Sequence, residues 1–281
     1  VAVRCRPLPS VAVRCRPLPS VAFRAVRCRS PPLPFSASSA RSAVRSSCAV
    51  PAPSPRSCAC LPPHCRRAAP EALARQLKRA RPGGVFTSSA CDAWQPIERD
   101  RRLTRECCRL LTEHGFAVHA LTKSALIVRN FDVLRPGLSR VGVTVTTLEP
   151  RLARLWEPHA SPVDERWAVL EAAREAGLET SVMFGPLLPF LSDGQESLND
   201  LMARAADAGV GAIWVDAMNA RPRVWPAVAR LLRREFPDLH DEYGRILHHG
   251  PTRDRYVAAL RMRVRKAAER AGVADRVGGC P

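Results

Sequence analysis

From Pro70 onward the chain alternates short, almost wholly apolar runs with amphipathic ones, and that alternation limits the fold more than any other feature. "PEALARQLKRA" has helical periodicity with Glu71 in its first turn, and "RPGG" closes it. "GVFTSSA" reads as a strand, and Leu103 to His114 as an amphipathic helix stopped by Gly115. Strand "FAVHALT" is followed by Ser124 as an N-cap and helix "ALIVRNFDVL", then by strand "VGVTVTT" and helix "EPRLARLW". A longer helix starts at Ser161, with Pro162 in its first turn, and ends at Gly177. Strand "LETSVMFGPLLP", helix "GQESLNDLMARAADAG" and strand "VGAIWVDAMN" complete the series.

Strands and helices in strict succession with short connections predict an α/β fold of parallel strands wrapped by helices. Strands apolar on both sides fit a sheet covered on both faces. No Gly-rich G-x-G-x-x-G turn follows any strand, so a partial (β/α) TIM-like barrel fits better than an open doubly wound sheet. The expected division is a leader at residues 1–68, the partial barrel at 69–220 and a helical C-terminal extension at 221–281, the last containing the basic run "RMRVRKAAER".

The leader has no globular composition. It uses nine amino-acid types, with twelve Arg and no acidic residue, and "VAVRCRPLPS" occurs twice in perfect tandem. Residues 1–80 carry 15 Lys+Arg against one acid, a net of +14, so the other 201 residues contribute 18 − 14 = +4. The high isoelectric point therefore describes the leader, whereas a folded nucleic-acid reader carries its basic stripe on the domain itself. Three readings of the leader stay open. A transit peptide fits the composition, but twelve prolines oppose the amphipathic helix it needs. A disordered basic arm would bind nucleic acid or an anionic surface. The narrow alphabet, the exact duplication and the Val at position 1 favour the third, a GC-rich tandem DNA repeat translated in the wrong frame or from the wrong start.

Seven of the eleven cysteines lie in the leader, the tightest group being Cys58, Cys60, His64 and Cys65 in "CACLPPHC", with no second ligand pair at zinc-finger spacing. No apolar run reaches signal-peptide or transmembrane length, and a cytoplasmic protein with free thiols is the default expectation.

In parallel barrels ligands sit at the carboxyl ends of the strands. The residues there are Ser88, Ser89, Cys91 and Asp92 after the first strand and Thr122, Lys123 and Ser124 after the second. Thr144, Thr146 and Thr147 belong to the third, Gly185 and Pro186 to the fourth, Asp216 and Asn219 to the fifth. Each has an ordinary reading too: Lys123 as a solvated loop residue, the threonines as good strand formers. Cys91 and Asp92 suggest a thiol nucleophile, but no His stands near them in sequence, and a half-buried structural thiol is the plainer reading. Trp94 reads as a stacking platform or, more simply, as a packing anchor. His248 and His249, being adjacent, read as a solvated turn.

Four stretches, "SSACDAWQPIE", "LTKSALIVRN", "LEP" and "PLLPFLSD", resemble the radical S-adenosylmethionine proteins related to spore photoproduct lyase, often labelled DNA repair photolyases. The likeness runs from about Pro70 to Asn219. It implies a partial barrel that binds a [4Fe–4S] cluster and S-adenosylmethionine, with an electron donor reducing the cluster to generate a 5′-deoxyadenosyl radical that abstracts hydrogen from a substrate such as a DNA lesion. By the same resemblance Ser89, Asp92 and Gln95 lie near the cofactor, Lys123 meets its carboxylate and Thr146 its polar edge. The family's C-x-x-x-C-x-x-C loop follows the barrel's first strand. No three cysteines here have that spacing, and Cys107 and Cys108, adjacent on a helix, point about 100° apart. The first strand is expected to be missing with the motif, and the chain as written is expected not to perform the radical chemistry. The alternative is a non-catalytic truncated barrel whose basic arm binds nucleic acid electrostatically.

Overall fold

The computed structural model describes residues 69–88, 91–219 and 224–279. The readings of the leader, of the Cys58 group and of Ser89 fall outside the described residues. All described residues belong to one unit, Pro53–Pro281.

Six parallel strands pair in chain order and curl into a half-barrel: β1 Gly84–Phe86, β2 Ala117–Thr122, β3 Arg140–Val145, β4 Glu179–Leu187, β5 Ala212–Ala217 and β6 Val277–Gly279. Five of the six occupy the apolar runs read from the sequence. The sixth was not anticipated, because Val277 is followed by two glycines and presents no apolar run. It joins the sheet through the pairing of Val277 with Ile213. The chain thus leaves the barrel into helices, as expected, and comes back to its edge.

The helices are α1 Ala69–Leu77, α2 Glu98–Arg101, α3 Leu103–Glu113, α4 Pro150–Trp156, α5 Val163–Glu175, α6 Gln195–Asp207, α7 Trp225–Glu235, α8 His240–His248 and α9 Gly250–Arg270. "ALIVRNFDV", expected to be α-helical, instead forms a 3₁₀ segment, Ala125–Val133. Its β-branched and aromatic residues favour the α-helix weakly. Its start matches the expectation, with Ser124 Oγ accepting the Leu126 N–H at 3.3 Å.

One face of the sheet packs against helices through Val118, Val141, Val143, Val182, Phe184 and Ile213, all buried. Helix α5 answers with Val163, Trp167, Leu170 and Ala173, spaced as one helical stripe, and α6 with Leu198, Leu201, Met202 and Ala205. A second, smaller cluster lies at the carboxyl ends of β4 and β5. There Leu188 and Met218 pack with Val228 and Leu232 of α7 and Tyr243 and Leu247 of α8. The C-terminal helices therefore fasten themselves to the rim by their own apolar core.

Candidate functional site

The β1–β3 side of the rim is built around two carboxylates. Asp92, in the loop after β1, accepts the backbone N–H of Trp94 at 2.9 Å, the Thr122 hydroxyl at 2.8 Å and the backbone N–H of Lys123 at 2.8 Å. It ties the first loop to the end of β2. Gln95 Nε2 donates to the Asp92 carbonyl at 3.0 Å, so Gln95 closes the loop on itself. Ser88, at a φ of 70°, accepts the Ala93 N–H at 3.2 Å and turns the chain out of β1. Trp94 is 1 % exposed in the main core, so its face is packed and not presented to a base.

The second carboxylate, Glu157, follows α4 and was not singled out in the sequence. Its Oε1 takes the Lys123 ammonium at 2.9 Å and the Thr146 hydroxyl at 2.6 Å. Its Oε2 takes Arg166 Nη1 at 2.6 Å. Arg166, on α5 and 2 % exposed, also donates to the carbonyls of Thr144 at 2.9 Å and Ser161 at 2.8 Å. Burial pushes the Glu157 carboxyl up, but the two cations and the Thr146 hydroxyl more than offset it and hold it below the ordinary glutamate range. Lys123 and Thr146, which the resemblance sets against the cofactor's carboxylate and its polar edge, thus meet on one oxygen.

Lys123 is held at three points. Asp92 takes its N–H, the Ser161 N–H donates to its carbonyl at 2.9 Å, and Glu157 takes its ammonium. Ser161 Oγ also accepts the Ala125 N–H at 2.9 Å, clamping the chain on the other side of Ser124. The Lys123 side chain stays one-third exposed, at 33 % against 9 % for Glu157. It stands at the carboxyl end of β2, on the rim.

The β4–β5 side is closed differently. Gly185 lets two strands approach closely, since a Cβ there would lie 3.0 Å from Asp216 Cβ on the next strand. Asp193, at the end of "PLLPFLSD", accepts the Phe190 N–H at 2.7 Å and Arg263 Nη2 of α9 at 3.0 Å. Arg253 of α9 donates to the Met218 carbonyl at 2.8 Å and to Asn219 Oδ1 at 2.6 Å. Beside these groups lies an open cleft of about 530 Å³ lined by Asp216, Asn219, Arg253, Asp254, Val257 and Arg261. The C-terminal helix therefore covers this end of the rim. His248 is the last residue of α8, its ring edge-on to Trp225 at 5.0 Å, where a turn was expected.

Among the described residues no three His, Cys, Asp or Glu side chains stand together as a metal site. Burial pushes Cys107 up to about 11 and Cys108 up to about 12, so neither thiol ionises near neutrality. The described residues therefore do not fit a [4Fe–4S] cluster, which needs thiolates converging on one loop. Nor does any described helix have the length and apolarity to cross a membrane.

The fold and rim define an α/β half-barrel with a polar carboxyl-end site. No protein-family model matches the chain. Among solved structures it is similar to spore photoproduct lyase. A variant of that enzyme has a TM-score of 0.51 at 13 % identity, over 74 % of this chain and 65 % of its own. A variant with bound AdoMet and dinucleoside spore photoproduct has a TM-score of 0.50 at 13 % identity, over 71 % of this chain and 62 % of its own. In sequence, an uncharacterized protein of Methanocaldococcus jannaschii is 31 % identical over 112 residues, 40 % of this chain and 43 % of that protein. An uncharacterized protein of Mycobacterium tuberculosis is 29 % identical over 171 residues, 59 % of this chain and 50 % of that protein. The chain spans about half the length or less of these curated relatives.

Proposed function

We propose that the half-barrel binds S-adenosylmethionine at the β1–β3 side of its rim, as the cofactor-holding part of a radical enzyme akin to spore photoproduct lyase. The observation that carries this is Lys123, a lysine with a one-third-exposed side chain at the carboxyl end of a barrel strand, fixed at its N–H, its carbonyl and its charge. An ammonium so held suits the methionyl carboxylate, and such a charge-assisted contact strengthens as water leaves the site. Asp92 and Gln95 serve the same site by fixing the loop beside Lys123, and Thr146 by holding Glu157. The likeness to a solved lyase variant with bound AdoMet supports the choice of ligand.

S-adenosylmethionine, when bound, supplies the adenosyl group used for hydrogen abstraction in that class. The residues described here bind and orient it. No cluster ligand set stands among them, so the proposal for these residues ends at cofactor binding. A nucleic-acid lesion is the substrate class suggested by the neighbour that carries a dinucleoside spore photoproduct.

Isothermal calorimetry with S-adenosylmethionine tests the reading. Binding is expected, with Lys123→Ala weakening it about tenfold to a hundredfold, the worth of one hydrogen bond to a charged group. Absence of binding, or an unchanged affinity in Lys123→Ala, overturns it.

A further inference from the structure

We infer that Glu157 is the positioning residue that aims Lys123 at a ligand carboxylate, and so sets the preference of this rim for amino-acid-type ligands. The inference rests on the cofactor-binding reading above and deepens it at the carboxylate that holds the Lys123 ammonium.

The donors on Glu157 are arranged by depth. Arg166, 2 % exposed, takes Oε2 from the inside and is itself anchored to two backbone carbonyls. Lys123, 33 % exposed, takes Oε1 from the rim side. A pair serving stability alone would be complete with Arg166 and the shorter-reaching Thr146. Here the carboxylate instead extends the buried network outward to a flexible side chain.

Free lysine side chains sample many rotamers, and ordering one on binding costs affinity. Glu157 orders Lys123 before any ligand arrives. An ammonium has three N–H donors, and Glu157 uses one. Among the described residues no other acceptor takes them, which leaves two for a second carboxylate that Lys123 can hold without releasing the first. Thr146 differs in this respect. Its single hydroxyl proton is committed to Glu157 at 2.6 Å, with the Gly185 carbonyl at 3.3 Å, and its side chain is buried. Thr146 therefore steadies Glu157 and does not itself reach the ligand. Asp92, a charged group beside Lys123, is occupied by Trp94, Thr122 and the Lys123 backbone.

The test is calorimetry on the full chain with two ligands, S-adenosylmethionine and its decarboxylated analogue, for wild type, Glu157→Gln, Lys123→Ala and the double variant. Glu157→Gln is expected to weaken S-adenosylmethionine about tenfold while the analogue changes by less than about twofold. The double variant is expected to bind no worse than Lys123→Ala alone, because the two residues act through one contact. Equal losses for both ligands would mean a merely structural role and overturn the inference, as would an unchanged affinity in Glu157→Gln. Should Glu157→Gln fail to fold, the near-isosteric Thr146→Val loosens the same carboxylate. A smaller loss confined to S-adenosylmethionine supports the inference, and a loss shared by both ligands or none at all overturns it. The two levels separate cleanly: wild type that binds neither ligand defeats the cofactor-binding reading, whereas wild type that binds and responds to Lys123→Ala but not to Glu157→Gln defeats only this one.

Discussion

The two halves of the rim are held together by different physics. On the β1–β3 side the connections are hydrogen-bonded charged side chains: Asp92 on the backbone of Lys123, and Glu157 between Lys123, Thr146 and Arg166. On the β4–β5 side an apolar cluster from α7 and α8 does the joining, and the arginines of α9 reinforce it from outside. Apolar packing is non-directional and tolerates small shifts, whereas hydrogen-bonded ions fix atoms to a fraction of an ångström. A barrel that must present a charge at a set point gains from the first arrangement at that point and from the second elsewhere.

The contrast can be broken from either side. The largest effect is expected from Arg166→Ala, which leaves Glu157 buried without its inner partner; removing one member of a buried pair costs about 3–5 kcal/mol. Urea denaturation would measure it, and a loss below about 1 kcal/mol, the size typical of an exposed pair, would show that the network is solvated. Next comes Leu232→Ala in the apolar cluster, where Leu232 is fully buried. The expected loss is about 2–4 kcal/mol with cofactor affinity unchanged, since a cavity there leaves the β1–β3 side intact. A weakened affinity would show that the two halves are mechanically coupled.

The smallest effect is a pH dependence. Glu157 has a folded-state pKa below its ordinary value near 4.5, so the stability it contributes is present above that value and is lost as pH falls through the folded one. Thermal melts of wild type and Glu157→Gln should therefore differ above Glu157's ordinary value near 4.5 and draw together as pH falls below it. Curves that stay parallel through that range would mean that Glu157 gains nothing from its partners.

Much of this was legible beforehand. Strand runs such as "VGVTVTT" and "GAIWVDA" are mostly apolar, which fits parallel strands packed against helices, although the far face of β5 leaves Trp214 43 % exposed; the helix stops at Gly115 and Gly177 lie in the left-handed region, at φ of 81° and 70°, as their residue type suggested. Placing Asp92 and Lys123 at strand ends followed from the same pattern. Glu157 was not legible, because a glutamate between "RLW" and "PHAS" has no local signal. Its role exists only because β2, β3 and α5 bring Lys123, Thr146 and Arg166 around it. Strand β6 was invisible for a related reason: three residues with two glycines become a strand only when an open edge is offered to them.

The sequence by itself determined the succession of strands and helices from β1 to β5 and their parallel arrangement. Those properties depend on periodicity and turn residues, which are local. Only the tertiary structure decided which carboxylate meets which cation and how deep each lies, because the free energy of an ion is set by its solvation and its neighbours in space.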